Sequence, residues 1–541
     1  MNEYERVKKL RFPTQKIPLE WPSRKVDSIC PVCLKHIAAA IYEKDNKVFM
    51  EKECKSHGKF KEMLSDDAIF FKRNELLTFE DGWGQSKPQV KNPKGCPDSC
   101  GLCKNHIGSP CLVNIDLTNR CNMKCPVCFA NSNSAGYVYE PTLEQVKKMI
   151  KAARSLRPVP AVALQYSGGE PTMSPIWFKA LKLAKKMGIT HMQAASNGMK
   201  FATVPGFAKK SKEAGLDVVY LQFDGTNDEA YKYTRRISNL WHLKQKAVEE
   251  IGKAGIGICL VSTIVNGESS KNLGDIIRFA INNDYITSVS LQPVSFTGRM
   301  DPEERMKKRF TLTDLATQAE KQTKGIIKKY EWYPLSVVSP FSRLLDAVYP
   351  GETRHLIAVS HAHCGLATYL CVNKKTKEAV PFPRFIDIEG VMGYVEKLAH
   401  ELKGKSKISR SIALLKALGG FKKYFREDKA PKGMKFKDFI GFVKSFTNSS
   451  KKKGYEKSQW KMMFIASMHF QDSYTFEVDR IRRCSIYYGS PEGKIYPFCS
   501  YNVGPYYREY VEKKFSVPIK EWIKRHSEEG VTKGFYEGEV A

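Results

Sequence analysis

The segment RCNMKCPVCFAN, residues 120–131, places three cysteines at the spacing C-x3-C-x2-C. It follows directly on the apolar run CLVNIDL at 111–117, which is typical of a β-strand. Three thiolates on one loop can hold three irons of a [4Fe-4S] cubane and leave the fourth iron open to a chelating ligand. A zinc knuckle is the alternative, but structural zinc takes four ligands and no fourth lies nearby. We therefore predict that Cys121, Cys125 and Cys128 bind an iron–sulfur cluster.

Around this segment, short apolar runs alternate with amphipathic Lys-rich stretches, which is typical of β/α units and a parallel sheet. A helix is predicted over 141–156, where Pro141 and Thr142 mark its start. Six β/α units predict an α/β fold with a partial (β/α)6 barrel, and the pattern ends after Gly298. The predicted strands are 111–117, 161–167, 189–195, 217–223, 257–264 and 287–294.

A second motif, SGGEP at 167–171, lies at the C-terminal end of the second predicted strand. Gly168 and Gly169 would let the backbone approach a ligand closely, and Glu170 supplies a carboxylate for an ammonium group. Alone, this motif is explained as well by an ordinary strand-to-helix turn. Its position one unit after the cysteine loop favours a binding site, because sites on parallel barrels lie at the C-terminal ends of the strands.

Together the two motifs resemble those of the radical S-adenosylmethionine (SAM) superfamily over about residues 108–300. The resemblance implies that the three cysteines bind the cluster, that SAM chelates its open iron, and that residues 168–170 hold the SAM amino group. It also implies SAM contacts at the later strand ends, namely Ser196, Asn197, Gly198, Gln222, Asp224, Thr263 and Gln292. Val127 stands where the family usually has an aromatic residue, which weakens the case for adenine stacking there.

The other cysteines divide into three sets and one single residue. Two four-cysteine sets suit auxiliary [4Fe-4S] clusters, with structural zinc as the alternative; they are Cys96, Cys100, Cys103 and Cys111, and Cys364, Cys371, Cys484 and Cys499. Cys30, Cys33 and Cys54, with His57 as fourth ligand, suit one mononuclear iron or zinc ion in a rubredoxin-like or zinc-knuckle domain that contains a hairpin turning at 44–46. Cys259 is predicted to be a core thiol, and His361 and His363 to be ordinary loop histidines.

The order of all these motifs resembles the archaeal tetraether lipid synthase branch of the superfamily, once regarded as pterin methylases. That resemblance implies coupling of the terminal methyl carbons of saturated isoprenoid lipid tails by a C-C bond. It implies an archaeal diether phospholipid as substrate and a low-potential electron donor such as ferredoxin. It also implies a radical SAM cluster and two auxiliary clusters as cofactors. The alternatives are a radical SAM methylase or peptide-modifying enzyme and, from a different class, a zinc-knuckle nucleic-acid-binding protein.

Charge and composition limit the partners. The formal net charge is +31, and residues 401–460 hold many more Lys and Arg than Asp and Glu, interleaved with phenylalanines. This excess favours an anionic membrane surface, although a solvated helical face over its own core explains it equally well. No specific nucleic acid is expected, because no groove-reading or stacking motif is present. Without a long apolar run or a signal peptide, the protein is expected to be cytoplasmic and peripheral to the membrane.

The predicted organisation has four parts. Residues 1–90 form the N-terminal metal-binding domain and 91–110 an auxiliary-cluster segment. Residues 111–300 form the barrel, and 301–541 form a mainly helical C-terminal domain with an auxiliary cluster. The Lys-rich tract at 449–457 is expected to be a loop, and Lys451, Lys452, Lys453 and Lys457 are expected to favour anionic vesicles.

Overall fold

The computed structural model describes residues 23–349, 359–406, 419–447, 458–503 and 507–526, apart from 80, 81, 83 and 94, together with residue 410. The described chain is an α/β protein with an N-terminal antiparallel sheet and a large mixed sheet. The Lys-rich tract at 449–457 lies outside the described residues, and so do its four lysines.

The N-terminal sheet consists of β1 (Ser23–Ile29), β2 (His36–Lys44), β3 (Lys47–Cys54) and β4 (Gly58–Ser65), paired in sequence order. Asp45 and Asn46 form the predicted turn between β2 and β3 with φ of 52° and 56°. Asn and Asp tolerate this left-handed conformation, which matches the twist of a two-residue hairpin. Helix α1 (Ala68–Glu75) follows and is capped by Asp67, whose side chain accepts a hydrogen bond from the Phe70 amide.

Six parallel strands form the centre of the large sheet, in the order β5, β7, β8, β9, β10, β11. Their bounds agree with the predicted strands to within a few residues. They are β5 (Leu112–Thr118), β7 (Ala163–Gly168), β8 (His191–Ser196), β9 (Val218–Gln222), β10 (Gly257–Ile264) and β11 (Ile286–Pro293), with the short β6 (Tyr137–Tyr139) after β5.

Helices connect these strands. The predicted helix at 141–156 is shorter, because a capping box between Thr142 and Gln145 sets its start and Ser155 ends it. The connecting helices are α2 (Leu143–Arg154), α3 (Trp177–Lys186), α4 (Met199–Thr203), α5 (Phe207–Ala214), α6 (Glu229–Arg235), α7 (Trp241–Lys253) and α8 (Leu273–Asn282).

The two faces of the six-stranded sheet differ in chemistry. The outward side chains, such as Ile115, Leu164, Leu221 and Leu260, join one apolar core with the helices. The alternate, inward side chains are mostly polar. They are Asn114, Asp116, Gln165, Ser167, Gln193, Ala195, Tyr220, Gln222, Cys259, Val261, Thr263, Ser288, Ser290 and Gln292.

The C-terminal region extends the sheet at both edges, which the prediction of a mainly helical domain did not include. Strand β15 pairs parallel with β11, and β16 pairs parallel with β5. Strands β12, β13 and β14 lie beyond β15, and β17 lies beyond β16. Their bounds are β12 (Tyr333–Pro334), β13 (Leu366–Asn373), β14 (Ala379–Pro381), β15 (Trp460–Ser467), β16 (Ile486–Gly489) and β17 (Ile495–Pro497).

Helices still predominate among the described C-terminal elements. They are α9 (Arg305–Lys308), α10 (Leu312–Gln322), α11 (Ser339–Val348), α12 (Phe382–Phe385), α13 (Ile388–Leu402), α14 (Phe436–Thr447), α15 (Val478–Arg482), α16 (Phe498–Asn502), α17 (Arg508–Lys514) and α18 (Ile519–His526). Four phenylalanines of the basic region pack into a separate core with α12 and α13; Phe425 contacts Phe385 and Phe439 contacts Phe382. The four are Phe421, Phe425, Phe436 and Phe439. These aromatic residues therefore serve the domain's core.

The last described segment returns to the region of the cysteine loop. Strand β18 (Ser516–Pro518) pairs antiparallel with β6, and α18 places Trp522 over the guanidinium of Arg120, 4.8 Å from the ring centre. The indole nitrogen of Trp522 also donates to Glu140, which forms an ion pair with Arg120. The C-terminal segment thus braces the residue that precedes the first cysteine of the predicted cluster loop.

Candidate active site

The cysteine loop leaves the end of β5 and is held by side chains from outside the loop. Asn133 accepts a hydrogen bond from the Cys121 amide (3.0 Å) and donates to the Cys121 carbonyl (2.6 Å). Arg299, beyond the end of β11, donates to the Cys125 carbonyl through its guanidinium (2.8 Å) and to the Cys128 carbonyl through its amide (3.0 Å). The loop conformation is thereby fixed by the chain itself.

Gly298 allows this contact. Its φ is +67°, and a Cβ there would lie 2.5 Å from the Cys128 carbonyl oxygen and 2.4 Å from that of Phe129. Any side chain would push the segment after β11 away from the cysteine loop. The end of the barrel pattern at Gly298 is therefore a structural requirement of the cluster loop.

The two glycines of the SGGEP motif pack against the same loop. A Cβ on Gly168 would lie 2.1 Å from the Thr118 carbonyl oxygen, and one on Gly169 would lie 2.1 Å from that of Arg120. The Gly169 and Glu170 amides donate to these same two carbonyls, each at 2.8 Å. The close backbone approach predicted toward a ligand is here an approach of β7 to the cysteine loop.

Glu170 lies buried between two strand ends. Its carboxylate accepts from the Thr172 hydroxyl (2.6 Å) and amide (3.2 Å), from the Ser196 hydroxyl (2.9 Å) and from the Asn197 amide (2.8 Å). Burial raises the pKa of Glu170, against the effect of these hydrogen bonds. The carboxylate joins the end of β7 to the end of β8, and its predicted contact with the SAM ammonium stays a prediction.

A polar network continues from β8 to β10. The Lys244 amine, on α7, donates to the Asn197 carbonyl and to Gln222, both at 2.6 Å, and the Gln222 amide donates to Asp224 (2.9 Å). Asp224 accepts from Arg235 (2.6 Å) and from the Thr263 amide (3.1 Å). Burial lowers the pKa of Lys244 to about 7, and Arg235 adds to the effect. The predicted contacts at 196, 197, 222, 224 and 263 thus form one connected surface beside the cysteine loop.

Gln292 is outside this network. Its amide nitrogen lies 3.5 Å from the Tyr220 hydroxyl and 3.4 Å from the Ser290 hydroxyl, inside the barrel. The structure therefore places it with the inward-facing residues.

The three loop thiols suit a metal cluster. Burial raises the pKa of Cys121 and of Cys125, and the neighbouring thiols raise both further, while Arg235 acts against the rise at Cys125. A buried thiol without metal keeps its proton, and a bound metal ion displaces that proton. The pKa of Cys121 is raised by the nearby charges of Cys125 and Cys128, and also by that of Glu170. This arrangement fits a cluster beside the turn formed by Gly168, Gly169 and Glu170, which we call the GGE turn.

The N-terminal domain brings its four predicted ligands together. The ligand atoms of Cys30, Cys33, Cys54 and His57 all lie within 4.8 Å of one another. His57 Nδ1 is 3.6 Å from the Cys30 sulfur and 3.5 Å from the Cys54 sulfur. This is the arrangement that one tetrahedral ion requires.

The predicted set that adjoins β5 is partly assembled. Cys96 interacts electrostatically with Cys100 and Cys103, and the Ser500 hydroxyl lies 3.2 Å from the Cys100 sulfur. Cys111 lies against the C-terminal segment, where its amide donates to the Ser485 carbonyl (2.8 Å). Its place in the same ligand set stays a prediction.

In the C-terminal set, the structure separates Cys371 from the other three cysteines. Cys364, Cys484 and Cys499 are electrostatic neighbours, whereas Cys371 is buried in the apolar core with its sulfur 3.9 Å from that of Met434. Cys371 is the sixth residue of β13, so roughly 17 Å of extended strand separates it from the strand's start. The C-x6-C spacing of 364 and 371 gave no sign of this strand.

The histidines beside Cys364 contact carboxylates. His363 lies 3.1 Å from Glu75 and stacks on Phe71, and His361 lies 3.8 Å from Glu477. Cys259 is buried and faces the barrel interior.

Comparisons with known proteins agree with this geometry. Residues 115–280 match the radical SAM superfamily, and residues 22–66 match the HMPTM N-terminal zinc ribbon domain. The chain is 40% identical over 505 residues to the 7,8-dihydro-6-hydroxymethylpterin dimethyltransferase of Methanocaldococcus jannaschii, an alignment that covers 93% of this chain and 97% of that protein. The chain belongs to the radical SAM superfamily. Its fold is a radical SAM α/β fold with an N-terminal zinc ribbon.

More distant similarities are confined to part of the chain. A probable GTP 3′,8-cyclase of Methanothermobacter thermautotrophicus is 25% identical over 177 residues, which is 32% of this chain and 54% of that protein. The solved structure of Streptococcus suis SuiB bound to S-adenosylmethionine is 17% identical, covers 41% of this chain and 46% of that chain, and has a TM-score of 0.32. The 40% identical relative of this radical SAM protein is named as a pterin methyltransferase, so the predicted tetraether branch stays a prediction.

Sequence reasoning missed several residues that shape this radical SAM site. Lys244 and Arg235 lie in helices, where they looked like ordinary surface cations, and Asn133 and Arg299 lie in loops. The only sequence signal near Arg299 was its position beside Gly298, where the β/α pattern ends. Among the described residues, no helix has the length and apolar composition to cross a bilayer.

Proposed function

We propose that this radical SAM enzyme is a methyltransferase that acts on a pterin-type ring. The observation that carries the proposal is the 40% identity with a protein named as a pterin dimethyltransferase, sustained over 97% of that protein's length. This is the methylase alternative of the sequence analysis, and it fits the similarity better than lipid coupling does.

The ligand sets fit the cofactors that this activity requires. Cys121, Cys125 and Cys128 would hold the [4Fe-4S] cluster, with the GGE turn and the network of Lys244 and Asp224 lining the SAM position. Bound together, cluster and SAM supply a 5′-deoxyadenosyl radical able to remove hydrogen from an unactivated carbon. Auxiliary clusters would be held by the cysteines of 96–111 and by Cys364, Cys484 and Cys499, without Cys371, and a ferredoxin-like protein would supply electrons.

The polar interior of the barrel supports a polar, hydrogen-bonding substrate. Asn114, Gln165, Gln193, Gln222 and Gln292 all project inward. Most of these amides are hydrogen-bonded within the protein, but among the described residues Gln193 Oε1 accepts no hydrogen bond. A saturated hydrocarbon beside this oxygen would leave it unpaired, at a cost of about 1 to 3 kcal/mol, whereas a ring with a donor at that position would satisfy it.

Coupling of lipid tails is the second candidate, and one observation favours it. The net charge of +31 suits an enzyme that works at an anionic membrane surface, where each Lys or Arg contributes about 1 kcal/mol of attraction. On this candidate the substrate would be an archaeal diether phospholipid and the protein would be peripheral to the membrane.

One experiment separates the two candidates. The chain and its Cys125→Ala variant are expressed in an archaeal host that makes both 6-hydroxymethyl-7,8-dihydropterin and diether lipids, and pterins and lipids are then analysed by mass spectrometry. We expect pterins heavier by one or two CH2 units only with the unaltered chain. Tetraether lipids without methylated pterins would overturn the proposal in favour of the second candidate, and neither product would overturn both.

A further inference from the structure

Three amide side chains form a hydrogen-bonded chain across the inner wall of the barrel. Asn114, Gln165 and Gln193 are the third residues of β5, β7 and β8 and are aligned in register. The Gln193 amide nitrogen donates to Gln165 Oε1 (2.8 Å), and that of Gln165 donates to Asn114 Oδ1 (2.7 Å). The Asn114 amide nitrogen donates to the main-chain carbonyl of Tyr487 on β16 (3.0 Å). None of these residues belongs to the SAM network.

The Tyr487 carbonyl sets the direction of all the hydrogen bonds in this row of amides. A main-chain carbonyl can only accept, so Asn114 must present its NH2 group to Tyr487 and its oxygen to Gln165. The same logic orients Gln165 and then Gln193. Gln193 therefore ends the chain with its carbonyl oxygen unused, and reversing any one amide would bring two acceptors together.

That last oxygen belongs to a side chain that solvent reaches. Asn114 and Gln165 are buried, whereas Gln193 is partly exposed and so is Ala195, the small residue above it on β8. Across the part of the chain that the structure describes, Gln193 Oε1 accepts no hydrogen bond. A built, oriented acceptor is thus presented to whatever enters the barrel.

A donor projects from the sixth strand. The Gln292 amide nitrogen makes two long contacts, at 3.5 Å to the Tyr220 hydroxyl and 3.4 Å to the Ser290 hydroxyl. Contacts of this length are weak, so the amide can exchange them for a shorter bond to a ligand. This donor lies nearer the C-terminal ends of the strands than Gln193, because Gln292 pairs with Thr263 whereas Gln193 is level with Gly257.

We propose that Gln193 recognises the amino-pyrimidinone edge of a pterin-type ring, its Oε1 accepting a hydrogen bond from the ring's amino or N–H group. This inference rests on the proposed function and names a residue that gives it substrate specificity. The fixed direction of the amide chain is the reason for assigning the acceptor role to Gln193. A ring lacking a donor at this edge would leave Oε1 unpaired and would bind less well.

Calorimetric titration of the SAM-bound holoenzyme with 6-hydroxymethyl-7,8-dihydropterin tests the inference. Gln193→Leu removes the side-chain amide, with its carbonyl oxygen and its NH2 group. Gln193→Met does the same with a more flexible side chain, in case the leucine variant does not fold. Gln318→Leu, on α10 outside the barrel, is the matched glutamine control. Iron content and SAM affinity, measured on each variant, report whether the site is intact.

We expect about tenfold or greater weakening of pterin binding in both Gln193 variants, with SAM affinity and iron content unchanged, and no weakening in the Gln318 variant. Unchanged pterin affinity in a folded Gln193 variant overturns this inference and leaves the proposed function standing. No measurable pterin binding by the unaltered protein overturns the proposed function and this inference with it.

Discussion

Arg299 fixes the cysteine loop through a guanidinium and an amide that both donate to loop carbonyls. Arg299→Ala removes the guanidinium bond, and hydrogen bonds from charged groups contribute about 1.5 to 3 kcal/mol each. We expect a looser loop and faster loss of iron from the radical SAM cluster. Iron retention after gel filtration measures this loss. The control is Arg278→Ala, which removes an arginine that donates to the Gln322 carbonyl and pairs with Asp275. Equal iron retention in the two variants would contradict the role of Arg299.

His106 makes the protein sensitive to acid. Burial lowers its pKa to about 4, while its Nε2 lies 3.0 Å from the Cys484 carbonyl and 2.9 Å from the Tyr487 hydroxyl. An unfolded histidine has a pKa of about 6.5, so below that pH the unfolded chain binds a proton that the folded chain resists. The stabilisation is full above about pH 6.5 and is lost as the pH falls toward 4.

From these values we expect the free energy of unfolding to fall by about 2 kcal/mol between about pH 7 and pH 5 because of His106 alone. His106→Gln retains an N–H donor that does not titrate, so its decrease over this range should be smaller by about that amount. Urea unfolding at the two pH values measures both. Equal decreases in the free energy of unfolding of the two proteins would show that His106 binds its proton as readily in the folded protein as in the unfolded chain.

At the scale of elements, α18 stabilises the start of the cluster loop through Trp522. This side chain is 4% exposed and covers Arg120. Trp522→Ala should reduce the free energy of unfolding by about 3 to 5 kcal/mol, as for other buried aromatic truncations. It should also alter the electron paramagnetic resonance of the reduced cluster, because Arg120 adjoins Cys121. Tyr510→Ala, at an exposed position on α17, serves as the control. An unchanged spectrum in the Trp522 variant would show that α18 does not influence the conformation of the cysteine loop.

The elements of the barrel were predictable because each of its strands alternates apolar and polar residues next to an amphipathic helix. Strands such as β15 and β16 were not, because nothing local in their sequences states that their partners are β11 and β5. The same limit applied to the site. The cysteine motifs and the GGE turn are continuous in sequence, whereas Lys244 and Arg299 reach the site only through the fold. Cys371 was misplaced because its strand was not foreseen.

For the whole molecule, the zinc ribbon is fastened to the C-terminal region. Arg24 forms an ion pair with Glu477, the Ser28 hydroxyl donates to the Phe476 carbonyl, and the Lys52 amine donates to the Ser473 carbonyl. Loss of the ribbon's metal ion should therefore loosen residues 469–480 as well as the ribbon. Cys54→Ser should lower the metal content by one ion and raise amide hydrogen exchange in this segment.

Cys371→Ser is the matched cysteine control, because Cys371 lies in an apolar core away from the other cysteines of its predicted set. We expect it to leave the metal content and the exchange of residues 469–480 unchanged. Loss of iron from this variant would restore Cys371 as a ligand. If amide hydrogen exchange of residues 469–480 is unchanged in the Cys54→Ser variant, the zinc ribbon and the C-terminal region are held together without the metal ion.

The extension of the six-stranded parallel sheet at both edges by C-terminal strands has a consequence for synthesis of the protein. β5 leaves the ribosome long before its neighbour β16, by on the order of 20 to 70 s at ordinary rates of translation. During that interval both outer strands of the nascent barrel present unpaired backbone groups to other chains. Chaperones that mask exposed strand edges would therefore act on this protein before residues 460–497 emerge and pair with β11 and β5.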